Sequence, residues 1–335
     1  MLTRKNLITT FSFLFLLLFL MACNDHSMER GILIPSSNQA TLAVLVESLK
    51  TEVALTGTPT NQNDLTYLTP SVTTSPPTTT PIPNLTSTPT PDVRPNPDRW
   101  SEWPVIPTVS WTTKQIYLYG IRSGNQANAF STVGDCQSEP NVFMGIYETN
   151  RYWLGDNYQF LQETINFYKG SFSRKSLAVR DGLSAPTALS SLWTDPEFCN
   201  SNETPVSCEM RVYKPSIVFI NLGTNWKPGA SSRRYEQYLR QIVDIIIQNG
   251  GVPILSTKAD NVEGDNSINL VTARVAHDYD IPLWNFWLAA QSLPNHGLDQ
   301  SRNNIYLTPD GWDRRNFTGL EVLDALHRAL LVSHP

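Results

Sequence analysis

Between Pro215 and Ser256 the chain alternates in a way that few folds accommodate. Ile217-Val218-Phe219-Ile220-Asn221-Leu222 is a nearly unbroken apolar run, the pattern of a strand covered on both faces. Tyr235, Leu239, Ile242, Ile245 and Ile246 then recur at helical spacing, and the stripe stops at Gly250-Gly251, where a left-handed cap closes a helix. Val252 to Ser256 reads as a second strand. Strand, helix and strand joined by short connections form a right-handed crossover whose strands run parallel. The shorter run Ala129 to Val133 reads as the first strand. Ile268, Val271, Val275 and Tyr279 predict a further helix, followed by the apolar run Ile281 to Trp287. The last helix is expected to begin at Thr318, with Thr318 and Glu321 as a capping box and Leu320, Leu323, Leu326 and Leu330 buried. The class is α/β, three-layer, with a mainly parallel sheet flanked by helices.

At the other end of the chain Arg4 and Lys5 precede an apolar run from Leu7 to Met21. That run is about 15 residues, shorter than the ~20 a helix needs to cross a bilayer, and it marks a secretory signal. Leu20-Met21-Ala22-Cys23 resembles the lipobox of bacterial lipoproteins. The resemblance implies cleavage before Cys23, lipidation of its thiol, and several acyl chains, which hold a membrane where one does so only marginally. The expected location is therefore exported and lipid-anchored, on the extracytoplasmic face of the cell membrane or on the outer membrane. The expected organisation is a signal peptide over 1–22, a lipidated segment over 23–56, a Thr/Pro-rich spacer over 57–99 and one domain over 100–335. Leu42, Val46, Leu49 and Val53 predict a short amphipathic helix in the lipidated segment. The spacer, with runs such as Thr88-Pro89-Thr90-Pro91, carries too little apolar surface to offset its ordering entropy.

The formal net charge of −5 falls to about −7 once Arg4 and Lys5 leave with the signal, which gives nucleic acid nothing to bind. Cys199 and Cys208 bracket a polar loop and are expected to pair in an oxidising compartment, leaving Cys136 as a free thiol. Neither Cys/His spacing suited to zinc nor a Gly-rich phosphate loop occurs, so no metal and no cofactor is expected.

Ligands of open parallel sheets gather beyond the carboxyl ends of the strands. Three loops there are Gly134-Asp135-Cys136-Gln137, Gly223-Thr224-Asn225-Trp226 and Ser256-Thr257-Lys258-Ala259-Asp260-Asn261. With these the domain resembles the SGNH, or GDSL-type, hydrolases, which cleave acyl esters on a flavodoxin-like fold. The resemblance implies a nucleophile turn at Gly134-Asp135-Cys136, with cysteine where the family has serine. It implies an oxyanion donor at Asn225 and a second from the backbone of Ala185, where the family has glycine. The block normally read Asp-x-x-His-Leu-Thr corresponds to Asn303-Asn304-Ile305-Tyr306-Leu307-Thr308, so Tyr306 stands at the base position and Asn303 at the acid position.

These departures bear on the chemistry. A thiol is nucleophilic as thiolate and needs less help than a serine hydroxyl, whereas tyrosine is a poor base near neutral pH. His296 is then the candidate base, or else a surface-loop histidine. Cys136 is either the nucleophile or a small buried residue closing the first strand. Asp135, Gly223, Trp226, Lys258 and Asp260 are candidate contacts to a ligand; Lys258, Asp260 and Asp265 read equally as a salt-bridged loop, with Asp265 capping the next helix. Two functions follow: an ester hydrolase acting on acylated glycan or lipid, or a module that binds surface glycan or an acyl ligand without turning it over.

Overall fold

A computed structural model of the protein describes residues 94–331. The signal, Cys23, the helix expected near residues 37–54 and the spacer up to residue 93 lie outside them. In chain order the elements are a 3-10 turn (Pro97–Glu102), α1 (Trp111–Arg122), β1 (Gln126–Gly134), α2 (Leu161–Phe167), α3 (Pro205–Tyr213), β2 (Pro215–Asn221), α4 (Ser232–Gln248), β3 (Val252–Ser256), α5 (Ser267–Tyr279), β4 (Leu283–Trp284), α6 (Phe286–Ala290) and α7 (Pro309–Leu331).

All four strands are parallel, in the spatial order of their numbers. Beyond β1 the chain makes one further parallel bridge, Val179 beside Gly134. There the Gly134 N–H donates to Ala178 O and the Arg180 N–H donates to Gly134 O. Counting this segment as the second strand in chain order gives the sequence 2-1-3-4-5, the doubly wound arrangement expected for a flavodoxin-like sheet. Helices α3, α4 and α5 pack in series, and α1, α2 and α6 gather on α7, so the sheet lies between two helical layers.

Every residue of β2 and β3 is buried, which is why both read as apolar runs. Phe219 at the middle of β2 meets Phe130, Phe143 and Trp284 edge-on, aromatic contacts that add to the area they bury. Helix α4 turns Tyr235, Leu239, Ile242, Val243, Ile246 and Ile247 inward and closes with Gly251 N–H donating to Ile246 O.

The last helix departs from expectation. It begins at Pro309, nine positions before Thr318, with the Thr308 hydroxyl accepting from Gly311 N–H and Thr308 O accepting from Trp312 N–H. Proline at the first helical position loses no hydrogen bond and sets the helical φ in advance. Thr318 is buried within the helix and donates back to Arg314 O, so it caps nothing.

The folded body also takes in residues 94–99, which composition assigns to the spacer. Arg94 donates to His277 O, and Arg274 donates to Asp98 Oδ1 at 2.8 Å. The fully buried Asn285 side chain donates to Trp100 O and Trp103 O, and its backbone N–H donates to Val105 O. These bonds fasten the strap at Asn285, the residue that follows the two-residue strand β4.

On the opposite side of the sheet Glu209 of α3, 1 % exposed, gathers three elements. It accepts from Ser131 of β1, from Leu177 N–H at 2.7 Å and from Arg174 at 2.9 Å, which holds residues 174–182 against the first strand. Cys199 and Cys208 form a disulfide that ties the preceding loop to α3.

Candidate functional site

The carboxyl ends of β1, β2 and β3 open on a small cleft lined among others by Asp135, Asn221, Thr224, Lys258, Asp260 and Arg315. Gly134 brings β1 to its end by a close approach: a Cβ there would lie 2.2 Å from Ser138 Oγ. The chain turns at once. Asp135 Oδ1 accepts from Gln137 N–H at 2.9 Å and starts a 3-10 turn over Cys136–Ser138.

Asp135 is 5 % exposed, and burial pushes its carboxyl up to about 6, opposed by the Gln137 N–H and by Arg315 and assisted by Asp260 and Asp181. Its second oxygen accepts from Asn225 Nδ2 at 3.0 Å. The same amide nitrogen donates to Leu183 O at 3.1 Å. Both Asn225 donors are thus committed within the protein, and the geometry offers none to an oxyanion, contrary to what the resemblance implies. Ala185 is 1 % exposed with its methyl in the core. The adjoining Ser184 N–H donates to Thr187 Oγ1 at 2.7 Å, so the loop closes on itself.

Cys136 is half-buried and is the free cysteine among the described residues. Burial pushes its thiol up to about 11, with Asp135 and Asp181 adding to the shift and a hydrogen bond from Tyr306 opposing it. Asp181 and Tyr306 therefore act on the thiol in opposite senses, the carboxylate disfavouring its thiolate and the hydroxyl favouring it. Tyr306 is itself shifted upward, first by burial and then by Cys136, with Arg302 stacked 3.4 Å over its ring acting the other way. Tyr306 and Cys136 come together as the resemblance implies, but both are shifted toward staying protonated.

His296 does not join them. It stands exposed in a left-handed turn (φ 54°) and lines a separate hollow with Trp287, Asn303 and Asn304. It is the surface-loop histidine of the two readings. Asn303 is likewise exposed, in a left-handed conformation.

Lys258 and Asp260 sit in the cleft wall, 8 % and 3 % exposed. Lys258 Nζ donates to Asp260 Oδ1 and Glu263 Oε2, each at 2.6 Å, and to Asp260 O at 3.0 Å, which uses its three protons. Asp260 Oδ2 accepts from Thr224 at 2.7 Å. The pair is a buried ion cluster that shapes the wall, the salt-bridged reading of this loop. Gly223 makes room for it: at φ 124° a Cβ would lie 2.8 Å from Ile268 Cγ2 and 3.1 Å from Lys258 Cδ. Trp226, a candidate ligand contact, instead turns inward against Tyr235, and its indole N–H donates to Ala230 O. Asp265 accepts from Ser267 N–H one position ahead of the N-cap of α5, which is Asn266 and makes no side-chain cap.

Three residues of the site were not singled out from the sequence. Asp181 follows the short Val179 bridge, and the Asp181-Gly182 turn after Ala178-Val179 was its only signal. Asn221 is the one polar residue within the apolar run of β2. Arg315 is a cation buried on α7, where burial lowers it to about 10 against the opposing pull of Asp135. Cys199, Glu203 and Cys208 lie close enough to share an ion, but the two sulfurs are joined to each other and offer no thiolate.

No family model and no curated protein sequence matches the chain. Among solved structures it is similar to a GDSL-like lipase from Bacteroides thetaiotaomicron, with a TM-score of 0.39 and 12% sequence identity over 63% of this chain and 98% of that one.

Proposed function

We propose that this protein is a lipid-anchored binding module whose cleft receives an acylated surface glycan or acyl ligand and does not hydrolyse it. The observation that carries the reading is the half-buried Cys136 thiol, on which burial and the charges of Asp135 and Asp181 all act against ionisation. With the thiol pushed up to about 11, roughly one part in 10,000 is thiolate at pH 7. The charge of Asp181 acts on the thiol in the sense that disfavours the thiolate an attack needs. Asn225, tied to Asp135 and Leu183, adds no stabilised oxyanion, and such donors account for orders of magnitude in acyl transfer. Support for the anchor is the Leu20-Met21-Ala22-Cys23 sequence behind an apolar leader. Among the described residues no helix is long and apolar enough to cross a membrane.

The test is turnover of p-nitrophenyl acetate, butyrate and octanoate by the full chain beside its Cys136→Ala variant. The expected result is release no faster than the variant gives at pH 7. Turnover that disappears on Cys136→Ala would make the protein a cysteine-centred hydrolase and end this reading.

A further inference from the structure

Beside the cleft lies a second hollow of about 440 Å³, and the two share Ala259 and Leu298 in their walls. The cleft itself has room for about 40 Å³, the share of one or two water molecules, whereas the hollow falls within the ~300–1,000 Å³ of a ligand site. Three segments line the hollow: the loop from β3 to α5, helix α6 with the residue after it, and the loop before α7. Among the described residues of its lining none is Asp, Glu, Lys or Arg, and none belongs to a strand.

The polar part of this lining is mostly carboxamide. Gln291 Nε2 donates to Trp287 O at 2.9 Å, and Asn295 Nδ2 donates to Leu298 O at 2.7 Å and to Asn304 Oδ1 at 2.9 Å. Asn261 Oδ1 accepts from Asn266 N–H at 2.9 Å. These partners fix which end of each amide is committed to the protein. Among the described residues they leave two acceptors, Gln291 Oε1 and Asn295 Oδ1, and two donors, Asn261 Nδ2 and Asn304 Nδ2, with no bond inside the protein. Asn261, Asn295, Asn303 and Asn304 are all exposed, so a ligand can reach them. Trp287 is half-buried, its ring held edge-on by Trp100 at 5.0 Å.

Four ligand chemistries can be compared at this lining. A carboxylate, sulfate or phosphate would set oxygen against the two acceptors with no cation to repay it, and an ammonium would meet the two donors with no carboxylate. An acyl chain would take water from every amide and return no hydrogen bond. A peptide is held by a sheet edge or by pockets for its side chains, and no strand borders the hollow. A sugar ring fits: each hydroxyl both donates and accepts, and the C–H face of a pyranose covers a flat indole.

We propose that this hollow binds an uncharged pyranose of a surface glycan, with the C–H face of the ring on Trp287 and its hydroxyls on the amides of Gln291, Asn295, Asn303 and Asn304. The site is separate from the cleft and stands whether or not the cleft turns over an ester.

The experiment is calorimetric titration of the full chain with cellotetraose, mannotetraose, galactotetraose, N-acetylchitotetraose, tetragalacturonate and capped tetra-alanine, repeated on Asn303→Gly and Trp287→Leu. Glycine adopts the left-handed conformation of Asn303 (φ 57°), so that substitution removes the amide and keeps the loop. The expected result is a Kd below about 1 mM for at least one uncharged sugar and none for tetragalacturonate or tetra-alanine, with a loss of about fivefold in Asn303→Gly at unchanged melting temperature and of tenfold or more in Trp287→Leu. Should Trp287→Leu fail to fold, Asn303→Gly decides alone. The inference is overturned if no uncharged sugar binds, if tetragalacturonate or tetra-alanine binds as well as the sugars, or if the affinity survives in the folded variants. Turnover of the acyl esters above would end the binding-module reading of the cleft and leave the hollow as it is, and failure of every sugar would end this inference and leave the cleft to the esters.

Discussion

The thiol of Cys136 shows how little a reactive residue type says without its neighbours. In the sequence it occupies the nucleophile turn, while the two groups that govern it, Asp181 and Tyr306, lie 45 and 170 positions further along the chain. The rate of alkylation by iodoacetamide should rise with pH toward a midpoint near 11, against about 8.5 for an ordinary thiol. Replacing Asp181 with Asn removes a charge that disfavours thiolate and should move the midpoint down and speed labelling at pH 8. A native midpoint below 9 would contradict the arrangement. Asp181 was hidden because its placement depends on a single bridge to β1, and Asn221 because a lone polar residue in an apolar run reads as an imperfection of a strand rather than as a site. Arg315 was hidden for a different reason: helical periodicity gives the face of a residue but not the rings that surround its charge.

At the level of elements, β2, α4, β3 and α5 were legible because each follows one rule without conflict. Strands covered on both faces are apolar throughout, and α4 ends on glycine. The start of α7 was not legible because two signals compete. Thr318 and Glu321 imitate a capping box, whereas Thr308-Pro309 carries the actual start, and the choice turns on whether the Thr318 hydroxyl finds a carbonyl four residues back, as it does. The strap over 94–110 escaped notice because its side-chain and backbone bonds run to α5 and Asn285, far along the chain. Glu209 offers a test at this scale. Glu209→Gln removes the carboxylate from a buried pair with Arg174, a change that costs about 3 kcal/mol where one partner of such a pair is lost. The urea midpoint should fall accordingly, and a change below about 0.5 kcal/mol would mean that Glu209 does not hold residues 174–182 to the sheet.

The whole molecule should register the buried carboxyl of Asp135 in its stability. Its folded value of about 6 stands above an ordinary carboxyl near 3.8. A raised value means the native state binds the proton more tightly, so this group's contribution is fully present below about pH 4 and is lost as pH rises through 6. Asp135→Asn removes that dependence. Between pH 4 and pH 7 the variant should gain on the native protein by on the order of 2–3 kcal/mol in unfolding free energy. Parallel pH profiles would show that Asp135 is more solvated than its burial implies. The strap has a consequence on the same scale. Arg94 meets the last turn of α5 at His277 and Asp280, the segment that leads into the amino end of β4, whereas the cleft opens at the carboxyl ends of the strands. Tension arriving along the chain at Arg94 is therefore taken up by α5 and the strap at one pole of the domain, and a pull on the chain does not load the cleft at the other.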